Sequence, residues 1–255
     1  MRYAFFAWYP NSLVVNGGNP NHEGNPYITY NLPTGTGARA AMEDVLTACK
    51  IDVTKYNGSS VNFSMKHRLA ALDLLANSII TVKSLKEANP DMDFSGVADN
   101  AEVTVKNIKN LKLNLAGIKT TVKIPLNTDD VNEKQVASGS LSPSYEDFDC
   151  TDVVIPYYGT SDDMKTLMGD NKLILIPQTE DVVVTLSLEY DVFVEGLANP
   201  IHYVRGTETV LTTTIKGLSE GFYHYLELTF TASGVYLQAK VEESWVDFPV
   251  YYEFE

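Results

Sequence analysis

Residues 221–245, GFYHYLELTFTASGVYLQAKVEESW, decide the fold of this chain. Apolar side chains recur at every second position in two runs, which the turn residues 231–234 separate. A period of two on both sides of a turn predicts a half-buried antiparallel hairpin. The side chains expected to share its inner face are Phe222, His224, Leu226, Leu228 and Phe230, followed by Val235, Leu237, Ala239 and Val241. We expect Trp245, which closes the second run, to seal the end of the core.

The same alternation extends over residues 182–194, where every second residue is apolar. These apolar positions are Val182, Val184, Leu186, Leu188, Tyr190, Val192 and Val194. Fifteen tyrosines, many Val and Thr residues and frequent turn residues also favour strands over helices. The sequence therefore predicts an all-β protein.

Four stretches of the sequence resemble the fimbrillin (Mfa-like) family, the pilus subunits of Gram-negative anaerobes. They are the glycine, aromatic strand, turn, second strand and closing tryptophan of 221–245, KLILIPQT at 172–179, VNFSMKHRLA at 61–70, and YAFFAWYP at 3–10. The stretches cover nearly the whole chain and follow the family's order. The resemblance implies two tandem β-sandwich domains, each with a transthyretin-like fold.

Composition along the chain suggests where these domains divide. Residues 128–143 are polar and contain Gly, Ser and Pro, so they are predicted to form an interdomain linker. We expect an N-terminal fimbrillin-like domain at 1–128 and a C-terminal one at 129–255. Residues 11–37 are rich in Asn, Gly and Pro and predict a long surface excursion.

Two segments carry conflicting signals. Residues 69–80 place Leu69, Leu72, Leu75, Ala76 and Ile79 on a helical stripe, whereas the family resemblance requires an extended chain through Leu74. We follow the resemblance and expect a strand. Residues 40–49 fit a short helix or a strand equally well.

The net charge of -14 limits the classes of partner. With 33 acidic and 19 basic residues and no Lys/Arg cluster, the chain lacks the main electrostatic term for binding nucleic acid or an anionic membrane surface. No apolar run approaches the ~20 residues of a spanning helix. Residues 1–9 do not form a signal peptide, and a start within a strand-like run suggests truncation or processing.

The sequence predicts no catalytic, cofactor-binding or metal-binding residues. The histidines His22, His67, His202 and His224 have no metal-ligand spacing, and neither a nucleophile elbow nor a phosphate loop is present. His67 is interpreted as a hydrogen-bonded packing residue. The neighbouring carboxylates Asp147/Asp149 and Asp162/Asp163 are interpreted as solvated turn residues rather than an enzyme's acid pair. Accordingly, we expect neither an enzyme nor a bound cofactor.

One acidic loop has the spacing of a calcium-binding EF-hand. Its oxygen-bearing residues at loop positions 1, 3, 5, 9 and 12 are Asp91, Asp93, Ser95, Asp99 and Glu102. Gly96 occupies position 6, where a sharp turn is needed. The following Val103 and Val105 are β-branched, however, and argue against the exiting helix that an EF-hand requires. We therefore predict an acidic turn without useful calcium affinity.

The cysteines and the tyrosine pairs leave alternatives open. Cys49 and Cys150 could form a disulfide between the two halves, or they could be two separately buried thiols, which is the interpretation we favour. The pairs Tyr157-Tyr158 and Tyr251-Tyr252 could stack on sugars, but packing within strands is the favoured interpretation.

The resemblance implies a structural or adhesive subunit of a fimbria at the cell surface, exported as a lipoprotein, attached to the outer membrane and assembled by donor-strand exchange. Its partners would be other fimbrial subunits, and host or bacterial surface ligands are further candidates. The alternation of large apolar residues at 248–254 predicts a role in assembly, although a last strand of the chain's own sheet explains it equally well. The alternative function is a secreted glycan-binding β-sandwich that does not polymerise.

Overall fold

The computed structural model describes residues 2–17, 25–54, 60–127, 134–157, 164–205, 211–244 and 248–253. These residues form nineteen strands, one α-helix, α1 (Val82–Ala88), and one short 3-10 helix (Arg39–Ala41), so the prediction of an all-β protein is confirmed. The first nine strands are β1 (Arg2–Tyr9), β2 (Val15–Asn16), β3 (Tyr27–Asn31), β4 (Leu46–Thr54), β5 (Ser60–His67), β6 (Ala70–Ser78), β7 (Val103–Ala116), β8 (Thr121–Pro125) and β9 (Val136–Ser138). The others are β10 (Ser144–Tyr145), β11 (Ile155–Pro156), β12 (Lys165–Thr166), β13 (Leu173–Leu175), β14 (Val182–Val194), β15 (Ile201–Arg205), β16 (Leu211–Ile215), β17 (Phe222–Thr231), β18 (Gly234–Ser244) and β19 (Phe248–Glu253).

The described strands form four sheets. Sheet A has the order β1-β4-β5-β19, and sheet B has the order β2-β3-β8-β9. Sheet C runs β10-β7-β14-β15, with β11 added to β7 and β16 added to β14. Sheet D runs β12-β6-β17-β18, with β13 added to β6.

The predicted hairpin is present as β17 and β18, paired antiparallel from Phe222 to Ser244. The inner positions at its centre are buried, and Leu226, Leu228 and Phe230 have no exposed surface. The positions toward its open end, Phe222 and Val241, are exposed. Trp245 lies outside the described residues, so its predicted sealing role stays a prediction.

The conflict over residues 69–80 is resolved in favour of a strand. β6 is the central strand of sheet D, parallel to β17 and antiparallel to β12 and β13. β6 lies between other strands, and both of its faces are covered. It is therefore buried almost throughout and shows no alternation of apolar and polar residues. The helix begins only after it, where Thr81 caps α1 by accepting a hydrogen bond from the Ser84 backbone N–H at 3.1 Å.

The expectation of a surface excursion at residues 11–37 is wrong in part. This segment contains β2 and β3, and β3 pairs with β8 inside sheet B. Ile28, Tyr30 and Leu32 belong to the main core. The alternation in Tyr27–Asn31 is only five residues long, and the surrounding Asn, Gly and Pro residues obscured it.

Strand pairing crosses the predicted boundary between residues 128 and 129. Sheet C pairs β7 with β14, and sheet D pairs β6 with β17, so each contains strands from both sides of it. Part of the predicted linker, Val136–Ser138, is β9 of sheet B. The division into two tandem domains stays a prediction, while the described sheets connect the two halves extensively.

Candidate functional site

Sheet A contains a fork between β4 and β5. β4 pairs with β1 at seven positions, from Leu46 to Thr54. Its ladder with β5 has only two pairs, Leu46 with His67 and Thr47 with Lys66. Beyond them no further pair between β4 and β5 lies among the described residues, and β5 pairs with β19 at six positions. We use the name fork for the diverging parts of β4 and β5, residues 48–54 and 60–65.

The fork has an apolar lining that is separate from the main core. Ala48, Phe63 and Met65 are its buried members, each at most 6% exposed. Four half-buried residues pack against them, namely Phe5, Ala7, Leu46 and Val61. The cluster unites side chains from β1, β4 and β5, so it spans the fork from one branch to the other.

The fork provides what an added strand requires. A β-strand in the middle of a sheet normally forms ladders on both sides, whereas the fork leaves lengths of β4 and β5 that do not pair with each other. An open strand edge accepts an extended segment through main-chain hydrogen bonds, and an apolar lining receives its alternate side chains. The arrangement therefore fits strand addition rather than chemistry on a small molecule.

In the described structure, β19 pairs with the β5 branch of the fork. It runs antiparallel to β5 in the register Phe248 with Met65, Val250 with Phe63 and Tyr252 with Val61. Residues directly opposite in an antiparallel pair lie on the same face of the sheet. The register therefore places alternate positions of β19 beside the lining of the fork, in the chain's own sheet.

A buried polar pair stands at the closed end of the fork. Asp44 Oδ2 and His67 Nδ1 are 2.5 Å apart, and their side chains are 21% and 7% exposed. Burial raises the pKa of Asp44, and the hydrogen bond with His67 only partly opposes this effect. The prediction that His67 is a hydrogen-bonded packing residue is confirmed, but sequence reasoning missed Asp44 because nothing in the local pattern marks its partner.

A model of the fimbrillin-like family matches residues 1–233. The chain belongs to the fimbrillin-like family. This match confirms the resemblance seen in the sequence. It also confirms the expectation that the protein is not an enzyme, because fimbrillin-like proteins are structural. No curated protein matches the chain.

One solved structure shows the same fold, and two others give lower scores. A fimbrial protein from Bacteroides vulgatus superposes with a TM-score of 0.60 at 17% identity, covering 94% of this fimbrillin-like chain and 77% of its own. A proposed cell adhesion protein from Bacteroides ovatus gives a TM-score of 0.48 at 15% identity, covering 96% and 68% of the two chains. Another from Bacteroides uniformis gives 0.45 at 17% identity, covering 96% and 73%.

Of the remaining histidines, the structure describes His224 and His202, and each has a polar partner. His224 is 1% exposed in β17, and its Nε2 accepts a hydrogen bond from the Ser219 backbone N–H at 3.0 Å. His202 lies on the outer face of sheet C, 2.7 Å from Asp191. His22 lies outside the described residues. Within the described part of the chain, no three His, Cys, Asp or Glu side chains converge as metal ligands.

The acidic loop is a series of turns, and it leads directly into β7 rather than into a helix. Asp93 accepts a hydrogen bond from the Ser95 backbone N–H at 2.8 Å, and Asp99 pairs with Lys86 at 2.7 Å. The predicted turn followed by a strand is confirmed. Its lack of useful calcium affinity stays a prediction.

The two cysteines are not joined by a disulfide. Cys150 is buried and donates a weak hydrogen bond to the Leu167 carbonyl at 3.5 Å, and burial raises its pKa to about 11. Cys49 is only half-buried, on β4. Two separate thiols therefore agree with the favoured interpretation, although one of them is less buried than expected.

The candidate sugar-stacking tyrosines are not brought together by any described contact. Tyr157 is exposed, and the side chains of Tyr158, Tyr251 and Tyr252 lie outside the described part of the structure. The favoured interpretation, packing within strands, therefore stays a prediction, and the sugar platform remains the untested alternative. Of the paired carboxylates, Asp162 and Asp163 also lie outside the described residues.

The two carboxylates of the pair Asp147/Asp149 have different partners. Asp147 is 3.4 Å from the guanidinium of Arg39, whereas Asp149 accepts a hydrogen bond from the Thr151 backbone N–H. Arg39, which is 8% exposed, also donates to the Met168 and Asn171 carbonyls at 2.7 and 2.8 Å. This arginine therefore fastens the 3-10 helix to two distant loops, a role that residue type alone did not indicate.

No helix within the described residues has the length and apolar character needed to cross a membrane.

Proposed function

We propose that this protein is a structural or adhesive subunit of a fimbria on the outer surface of the cell, assembled by donor-strand exchange. Family membership supports the fimbrial role, and the fork in sheet A is the observation that supports exchange. The Bacteroides vulgatus neighbour is itself described as a fimbrial protein. Export as a lipoprotein and attachment to the outer membrane are parts of the same proposal.

The pairing of β19 with β5 suggests how one subunit would join the next. Its six-pair ladder lies at one edge of sheet A as described. Any contact made within one chain can be made between two copies when an edge element is exchanged, at little cost in contact energy. In the polymer, β19 of one subunit would pair with β5 of its neighbour.

Disulfide cross-linking between subunits tests this proposal. Asn62 and Tyr251 are opposite residues of β5 and β19. In a background with Cys49→Ser and Cys150→Ser, one population would carry Asn62→Cys and the other Tyr251→Cys. We expect mixed fimbriae to yield cross-linked dimers under mild oxidation, because exchange places the two cysteines opposite each other in different chains.

The hairpin supplies a matched control. Thr229 and Tyr236 are opposite residues of β17 and β18, which are consecutive in the chain. Populations carrying Thr229→Cys and Tyr236→Cys should therefore give no cross-link between chains. If fimbriae form but the Asn62 and Tyr251 variants cross-link no better than this control, β19 is not the exchanged strand.

A further inference from the structure

The closed end of the fork determines the relative position of its two branches. Only the pairs Leu46 with His67 and Thr47 with Lys66 join β4 to β5 within the described ladder. One further backbone bond, from the Arg68 N–H to the Val45 carbonyl at 2.8 Å, lies beside them. A ladder this short leaves the angle between the branches open to variation, because two opposing pairs fix it far less firmly than a long ladder.

The Asp44–His67 pair adds a constraint on this angle to that of the apolar lining. Asp44 lies two residues before β4 and His67 is the last residue of β5, so their 2.5 Å contact joins the two branches through side chains. His67 also lies opposite Leu46, a member of the fork's apolar lining. The pair is thus attached directly to both the ladder and the lining.

The buried polar side chains at the closed end of the fork are not explained by a contribution to stability. Asp44 Oδ1 and Thr47 Oγ1 are buried without a hydrogen-bond partner among the described groups. Buried polar pairs generally stabilise a fold no better than apolar side chains of similar volume. A polar pair at this position is therefore better explained by the fixed geometry of its hydrogen bond.

We propose that Asp44 and His67 are positioning residues that hold the two branches of the fork at the angle required to receive a strand. The inference rests on the proposed function of the fork and assigns residues to its control. Preorganisation of this kind strengthens binding because the receiving site no longer has to be ordered when the strand arrives. The two residues act through β4 and β5, not by contacting the incoming strand.

Hydrogen exchange within the intact chain tests the proposal. The double variant Asp44→Val/His67→Leu replaces the pair by apolar side chains. We expect its melting temperature to stay equal or rise, while amide exchange in β5 and β19 becomes roughly tenfold faster, since a hydrogen bond to a charged group is lost. The β17–β18 hairpin serves as the internal reference, because general destabilisation would accelerate exchange there as well.

Single variants keep the test decisive if the double variant does not fold. Asp44→Asn retains an oxygen that can accept from His67 and should keep β5 and β19 protected, whereas Asp44→Ala should not. A second control, Lys216→Gln/Asp181→Asn, removes an exposed ion pair of 2.6 Å between the ends of β14 and β16 in sheet C and should leave exchange in β5 and β19 unchanged. Equal exchange in the Ala and Asn variants, or acceleration shared by the hairpin, would overturn the proposal.

The cross-linking of Asn62→Cys with Tyr251→Cys adds a measurement between subunits. We expect the Asp44→Ala acceptor to form cross-links at least about tenfold more slowly than the Asp44→Asn acceptor. An absence of cross-links when Asp44 and His67 are both wild type would show that β19 is not the exchanged strand. Hydrogen exchange within the chain would then still decide whether the pair positions β5 and β19.

Discussion

Single residues in this protein join segments that are far apart in the sequence. Arg39 joins the 3-10 helix to the loops around Asp147 and Met168, and Asp44 joins the start of β4 to the end of β5. Each depends on a partner that only the folded chain brings near. The sequence could therefore indicate that His67 and His224 lie in strands, but not which groups bind them.

His224 gives the protein a dependence on pH. Burial lowers the pKa of His224 below its usual value. The unfolded chain therefore binds the proton more tightly than the folded chain. The stability that this residue contributes is complete above about pH 6.5 and declines as the pH falls toward the lower, folded-state pKa.

Thermal melting of the wild type and of His224→Gln between pH 7.5 and 5.5 measures this contribution. Gln can accept the Ser219 hydrogen bond but does not titrate. We expect the free energy of unfolding of the wild type to fall relative to the variant by up to about 1.4 kcal/mol for each pH unit. Parallel pH profiles for the two proteins would show that His224 is not responsible.

At the scale of elements, β7 keeps apolar residues on one face of the sheet although its sequence repeats every three residues. Residues 106–112 read KNIKNLK, in which lysine recurs every third position rather than every second. Asn107 and Asn110 take left-handed backbone angles, with φ of 52° and 50°, and the register with β14 shifts beside each of them. Each irregularity adds a residue, so Ile108 and Leu111 still point into the core.

Asn110 is required for its backbone angle more than for its side chain. Asn110→Ala should cost about 1–2 kcal/mol because alanine tolerates the left-handed region poorly, whereas Asn110→Gly should cost less. Asn114→Ala is the matched control. Asn114 lies in the same strand, and the substitution removes its side-chain hydrogen bond to Thr185 at 3.2 Å. Chemical denaturation of the three variants measures the difference. Equal losses for Asn110→Ala and Asn114→Ala would refute the backbone explanation.

The alternation in β14, β17 and β18 could be predicted because each strand has one face in the core and one outside it. β6 was harder to assign, since a strand buried on both faces produces no alternation, and the family resemblance rather than periodicity identified it. The fork was not predictable at all. It arises from pairing that stops after two residues, and neither β4 nor β5 carries a proline or glycine that would mark the stop.

At the scale of the whole molecule, ladders between the two halves dominate. β7 pairs with β14 at ten positions and β6 with β17 at eight, and both pairings join a strand before residue 128 to one after it. The main core likewise includes side chains from both halves. These ladders change what cleavage of the predicted linker should produce.

Limited proteolysis within residues 128–143 tests the division into domains. We expect the nicked protein to elute as one particle in gel filtration and to separate into two fragments only in denaturant, because the two ladders hold the halves together. Release of two separately folded fragments under native conditions would instead establish independent domains at 1–128 and 129–255.

The parallel pairing of β6 with β17 also determines when sheet D can form during synthesis of the chain. While the polypeptide is being synthesised or passed through a membrane pore, β6 emerges long before the strand that completes its side of the sheet. Leu72 and Leu74, which end with no exposed surface, must remain without their final neighbours during that interval. Contacts between distant parts of a chain form slowly, and exposed apolar segments aggregate while they wait. We therefore expect the nascent chain to depend on a holding chaperone until residue 230 has emerged.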